Sequence, residues 1–227
     1  MPQSQLRTRR TSQSATRRWS KMSGFALLSL ALLPIVLPAS AAPMGNAIIS
    51  VAEVLDEGVI FEDLAIVQSL TDGTAEICMN SQYGIGYRTD VGFDMPLSEG
   101  DAGPLLSATH MLWQTDTTRL RLGVLGLNSD GEASLEGVLS HDVGDLTLTA
   151  GAAGTMPGGF GFGGATVMLN ESTMLHLEYV AGADAEAAVG CEWTIADQFG
   201  FIISGLNDFH GNSGLFLNFI WTADLGG

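Results

Sequence analysis

From Leu70 onward the chain is a series of short runs in which apolar and polar residues alternate, each run ending in a cluster of turn residues. In 173–181, Leu175, Leu177 and Tyr179 oppose Met174, His176, Glu178 and Val180. In 186–195, Ala187, Val189, Cys191, Trp193 and Ile195 oppose Glu186, Ala188, Gly190, Glu192 and Thr194. In 214–222, Leu215, Leu217, Phe219 and Trp221 oppose Phe216, Asn218, Ile220 and Thr222. A side-chain period of two is that of a β-strand, and no stretch in this region carries a helical period.

The turns form two interleaved sets. One is tight and polar, beginning at Gly86, Thr115, Asp142, Asn170 and Ala196, with spacings of 29, 27, 28 and 26 residues. The other is looser: 70–74, 98–104, 128–131, 154–159, 182–185 and 207–213. A period that holds two strands is a hairpin repeat, and it predicts an up-and-down meander of neighbouring antiparallel strands. Twelve runs are expected, at 59–69, 75–85, 89–97, 105–114, 118–127, 132–141, 145–153, 160–169, 173–181, 186–195, 198–206 and 214–222. The first, "VIFEDLAIVQS", has no clean alternation. An even count puts both ends of the meander on the side of the tight turns.

The run lengths and the identity of the apolar residues decide which face looks where. Most runs hold about nine to eleven residues, the length a tilted strand needs to cross a bilayer. A closed barrel of twelve strands with its apolar face inward would have a wide interior to fill, because width grows with strand number. Small residues such as Ala150, Ala152 and Ala187 cannot fill it. The reverse arrangement works, with the apolar face toward lipid and the acids, threonines and glycines around a wet lumen. On this reading Val189→Arg is costly and Gly190→Arg tolerated.

The amino terminus changes the picture of where the chain goes. Arg7, Arg9, Arg10, Arg17, Arg18 and Lys21 precede the uncharged apolar run Gly24–Pro38, and Ala39-Ser40-Ala41 follows as a small-x-small site. This is the pattern of a secretory signal peptide, with an apolar run short of the about 20 residues of a membrane helix. Cleavage is expected after Ala41. The expected organisation is therefore a signal peptide over 1–41, a lead-in segment over 42–58 and a barrel over 59–227. The lead-in, which includes "NAIISVAEVLDEG", reads equally as a short periplasmic helix, a lumen plug or a flexible connection.

Six of the nine basic residues lie in the leader, so only Arg88, Arg119 and Arg121 stand against all 25 acidic residues in the rest of the chain. Such a balance argues against nucleic acid or anionic headgroups as partners. It fits cation attraction, and equally a salt-adapted proteome. The two cysteines, Cys78 and Cys191, fall on distant strands and on opposite faces, so two free thiols are expected rather than a disulfide.

With leader, strand period, turn alternation and strand parity together, the chain over Val59–Thr222 resembles a bacterial outer-membrane β-barrel of the porin-like type. The resemblance implies an all-β, up-and-down antiparallel transmembrane barrel of about 12 strands in the outer membrane. Its partners would be outer-membrane lipid, the assembly machinery, and small solutes or cations. Barrels of this type usually end on an aromatic residue; here Phe219 and Trp221 are followed by "TADLGG". Girdle candidates are Tyr83, Phe93, Trp113, Tyr179, Trp193, Phe199, Phe219 and Trp221.

The candidate chemistry is electrostatic. The residues expected to line the lumen are Glu76, Asp90, Asp94, Arg119, Arg121, Glu136, Asp145, His176, Glu178, Glu186 and Glu192. Carboxylates in a pore raise local cation concentration and repel anions. Arg119 and Arg121, two apart on one strand face, would oppose them across the bore. A passive cation-favouring pore without catalytic residues, cofactor or metal is therefore expected. The alternatives are a closed-lumen structural or surface-interaction barrel and a secreted soluble β-rich binding module.

Other readings are weaker. Ser140 and His141 are adjacent, so they point to opposite faces and form no nucleophile–base pair. "GTMPGGFGFGG" lacks the lysine and following helix of a phosphate loop. Asp72-Gly73, Asp130-Gly131 and Asp184 fit turn chemistry better than a calcium loop.

Overall fold

The computed structural model describes residues 50–97, 104–127, 133–154, 159–182 and 185–226. Twelve strands form one closed sheet: β1 (Val59–Ser69), β2 (Ala75–Gly86), β3 (Thr89–Pro96), β4 (Leu105–Gln114), β5 (Thr118–Leu125), β6 (Ser134–Val143), β7 (Leu146–Gly154), β8 (Phe160–Asn170), β9 (Thr173–Val180), β10 (Glu186–Ala196), β11 (Phe199–Asn207) and β12 (Ser213–Asp224). Each strand pairs antiparallel with its sequence neighbours, and β1 closes the barrel on β12 in a register running from Val59↔Asp224 to Ser69↔Gly214. The fold is an all-β, up-and-down barrel, as the alternation predicted.

Differences from the expected boundaries are small and have local causes. β6 reaches Val143 because the β6–β7 ladder continues to the Val143↔Leu146 pair, so the turn is tighter than the sequence suggested. β12 runs on to Asp224, because Thr222, Ala223 and Asp224 pair with Phe61, Ile60 and Val59; the residues after Trp221 are therefore largely strand. The expectations for 1–49, Asp130-Gly131, Asp184 and 155–158 lie outside the described residues.

The register shifts of the sheet gather at the tight turns. Between Gly86 and Thr89, Tyr87 and Arg88 both have positive φ, 53° and 59°. Two successive positive-φ residues are what a two-residue hairpin turn matched to strand twist requires, at a cost for side chains larger than glycine. Register shifts at Gly84/Gly86, Met111/Trp113, Met168/Asn170 and Thr194/Ala196 all fall near this rim. Bulges gather at barrel rims because they bend the strand and re-aim side chains. The one in β4 buries Met111 inside while Trp113 stays on the outer face.

The outer surface is apolar. Leu135, Leu177 and Val189 are 63%, 57% and 60% exposed, far beyond what a soluble surface of this extent tolerates as a contiguous band. Near the tight-turn rim aromatic rings touch across strands, with Phe201 packed between Trp193 and Phe219 at centroid distances of 6.3 and 4.9 Å. Phe201 joins the girdle residues named from the sequence. Among the described residues no helix is long and apolar enough to cross a membrane, which says nothing of crossing by strands.

The interior is more mixed than an all-polar lining. β10, β11, β12 and β1 present Ala188, Ile202, Leu206, Phe216, Ile220 and Phe61 inward as one apolar cluster. A second cluster joins Val138, Ala153 and Phe162.

Candidate lumen and lead-in segment

Residues 50–58 lie against inward-facing side chains of the barrel wall. The two clusters just described each receive one of the segment's side chains, Leu55 in the first and Ala52 in the second. Both are nearly inaccessible to water. Polar contacts fix the rest. Ser50 Oγ donates to Glu136 Oε1 at 2.6 Å, the Ala52 amide to Ser140 Oγ at 3.2 Å, and the Leu55 amide to Asp90 Oδ2 at 3.2 Å. Contacts to β3 and β6 on one side and to β10–β12 on the other mean that the segment occupies the bore at this level.

Its exit onto β1 depends on a missing side chain. Gly58 N donates to Gly84 O at 3.0 Å, and a Cβ on Gly84 would lie 1.9 Å from the Asp56 carbonyl oxygen. Only glycine permits so close a backbone approach.

The arginines are the centre of the charged network. Arg119 and Arg121 share one face of β5, as their spacing required, and that face points inward. Arg119 Nη1 contacts Glu53 Oε1 at 2.7 Å, and its Nη2 contacts both oxygens of Asp142 at 2.6 and 2.8 Å. Arg121 Nη2 pairs with Glu136, and its Nη1 reaches the Glu53 carbonyl at 3.5 Å. Both guanidinium groups are thus already committed to carboxylates, and one of those carboxylates belongs to the lead-in segment. Bridging of two carboxylates by one planar guanidinium fixes orientation as well as charge. Burial of the Glu53 carboxyl pushes its pKa up, against the pull of Arg119.

The other candidate residues are placed as follows. Asp90, Glu136, His176, Glu178 and Glu192 are buried inside the barrel, and Asp94 and Glu186 line it partly exposed. Asp90 accepts from Thr109 on β4 as well as from the Leu55 amide. Glu76 lies exposed at the loop end of β2. Asp145 stands exposed in the tight turn before β7 begins, because β7 starts at Leu146 rather than one residue earlier.

Sequence reasoning missed several interior groups. Glu53 and Asp142 complete the Arg119 network. Asp63 points inward from β1 between Asn80 of β2 and Ile220 of β12. The signal for Asp63 was the parity of Phe61, Ala65 and Val67, which becomes readable only when β1 is aligned to β12. Ser204 and His176, 28 residues apart, meet at 2.7 Å between Oγ and Nε2, with Glu178 Oε1 at 3.8 Å from the same nitrogen. A nucleophile–base–orienter set needs serine and acid on different ring nitrogens, so this arrangement lacks that geometry.

Gly190 is corrected by the same contact. A Cβ there would lie 2.2 Å from Ser204 Oγ and 2.5 Å from His176 Nε2, so an inward arginine at this position is not tolerated. Ser140 and His141 do fall on opposite faces: Ser140 bonds Thr149 inside at 3.0 Å and His141 bonds Thr118 outside at 2.8 Å. Cys78 and Cys191 are free thiols. Asp72 serves its own turn, accepting from the Thr74 amide and hydroxyl at 3.0 and 2.7 Å, and these bonds hold its carboxyl down at about 2.

No protein-family model matches the chain, and no curated protein matches it. Solved structures do. A KdgM porin superposes with a TM-score of 0.58 at 10% identity over 71% of this chain and 98% of its own. A NanC porin gives 0.58 at 11% identity over 70% of this chain and 98% of its own. A KdgM porin in complex with disordered oligogalacturonate gives 0.53 at 7% identity over 72% and 98%. The barrel thus has the porin-like fold, and at these identities the likeness concerns fold alone.

Proposed function

We propose that the chain is an outer-membrane pore for small solutes that favours cations, exported with a leader removed after Ala41 and inserted with help from the assembly machinery. The outward apolar band and the fold shared with porins support the membrane setting. The observation that carries the sign of selectivity is the pairing of both lumen arginines. With Arg119 and Arg121 neutralised by Glu53, Asp142 and Glu136, the inward side chains of Asp90 and Asp94 are left to set the potential. Carboxylate-lined pores enrich cations and exclude anions. No catalytic role is assigned to any residue.

A second reading, a closed structural barrel, is favoured by one specific feature: Ser50–Gly58 fills the bore at its level. The two readings separate in a planar bilayer. The chain from Ala42 is inserted and its single-channel current recorded with a potassium chloride gradient across the membrane. Discrete steps with a cation-selective reversal potential support the pore. Stable insertion without current leaves the closed barrel, and an anion-selective reversal potential overturns the selectivity.

A further inference from the structure

Docking of residues 50–58 brings a third carboxylate to a pair of arginines that already have one each. Within the wall, Arg119 faces Asp142 and Arg121 faces Glu136. The lead-in segment then adds Glu53, whose Oε1 takes Arg119 Nη1 at 2.7 Å. Glu192 of β10 carries a further carboxyl within electrostatic reach of Glu53. The charged groups facing Glu53 are therefore Arg119 and Arg121 from β5, Asp142 from β6 and Glu192 from β10, together with Glu136, the partner of Arg121.

The two wall carboxylates beside the arginines are each held by two donors. Asp142 accepts from Arg119 and from Thr147 Oγ1 at 2.8 Å, while Glu136 accepts from Arg121 and from Ser50 Oγ at 2.6 Å. Glu53 receives guanidinium N–H on one oxygen only. It is the acid in excess, with an oxygen edge left to carry a proton. Its side chain stays 25% exposed, enough for a proton to reach it while the segment is docked. Burial lifts its pKa above the ordinary 4.5, opposed by Arg119 and seconded by Asp142.

We propose that residues 50–58 are a proton-linked strap: docking against the wall takes up a proton at Glu53, and acid therefore holds the segment in place. Released into water, Glu53 is an ordinary exposed carboxylate, and Arg119 keeps Asp142. Docked and ionised, it crowds a site whose two cations are already matched. Docked and protonated, it gives its O–H to a neighbouring acceptor while Oε1 keeps Arg119. The sign follows from linkage. A carboxyl whose pKa is higher when docked favours docking in full below its ordinary value. That preference fades as pH rises through the docked value, by up to about ten-fold in the docking constant per pH unit. Docking itself requires no conduction; the consequence that acid narrows the channel rests on the pore reading proposed above.

The test follows hydrogen–deuterium exchange of the folded chain from Ala42 in non-ionic detergent at pH about 5 and about 8, with each rate divided by its intrinsic value at that pH. The reporters are the amides of Ala52, Leu55 and Gly58, which the docked segment bonds to Ser140, Asp90 and Gly84. Their protection is expected to be at least about five-fold greater in acid. Glu53→Gln, neutral at every pH, is expected to hold the acid level of protection throughout, while Glu57→Gln in the same segment keeps the wild-type dependence. Glu53→Ala must also lose the dependence, whatever it does to docking, so the question stays decidable if the glutamine variant fails to fold. Equal protection at the two pH values, greater protection in alkali, or a dependence that persists in Glu53→Gln overturns the proposal. Single-channel current at the same two pH values reads the consequence, expected as a smaller conductance in acid that Glu53→Gln shows at both. A conductance indifferent to pH while the protection changes overturns that consequence. No current at either pH sinks the pore reading, and exchange still decides the strap.

Discussion

At the scale of single residues, the barrel's logic is a difference between neighbours. Val189 is outward among Leu177 and Gly205, while Glu186 on the same strand opens into the lumen. An arginine on the lipid face costs about 2–4 kcal/mol near the bilayer midplane and little toward water. Val189→Arg is therefore expected to lose that much stability in lipid vesicles, and Glu186→Arg to lose less than about 1 kcal/mol, as read from denaturant unfolding. Equal losses at the two positions would remove the assignment of faces. Gly190 shows what the sequence alone misses at this scale. Alternation correctly turns it inward, but the room it leaves for His176 and Ser204 is made by two strands whose register no local pattern reveals.

At the scale of elements, alternation located every strand after the first because an antiparallel barrel keeps one facing rule along each run. β1 resisted because its inner face is Phe61, Asp63, Ala65 and Val67 against an outer Ile60, Glu62, Leu64 and Ile66, so hydropathy hardly changes between faces. The lead-in segment was legible only as a set of alternatives. Its contacts, Ser50 to Glu136 and Glu53 to Arg119, join residues 86 and 66 positions apart, and no spacing rule anticipates such pairs. The segment makes its own prediction. Gly84→Val places atoms where the Asp56 carbonyl sits, so residues 50–57 must leave their berth. The variant is expected to keep its barrel, by circular dichroism, while the segment becomes cleavable by protease and the conductance per channel rises. An unchanged cleavage pattern would show that the segment is not held at Gly84.

At the scale of the whole molecule, one surface is apolar and ringed with aromatics while the interior holds nearly all of the charge that the strands carry. That inversion of the usual soluble arrangement is what suits the barrel to a membrane, and the readings of lumen and selectivity both presuppose it. Tryptophan reports it directly. After residue 41 the chain has three tryptophans, Trp113, Trp193 and Trp221, and all three are on the outer face. The decisive measurement is their fluorescence in vesicles whose acyl chains carry bromine, set against quenching by aqueous acrylamide. The account predicts strong quenching from the lipid phase and weak quenching from water. Strong acrylamide quenching with no effect of brominated lipid would contradict it and return the protein to the soluble β-rich class.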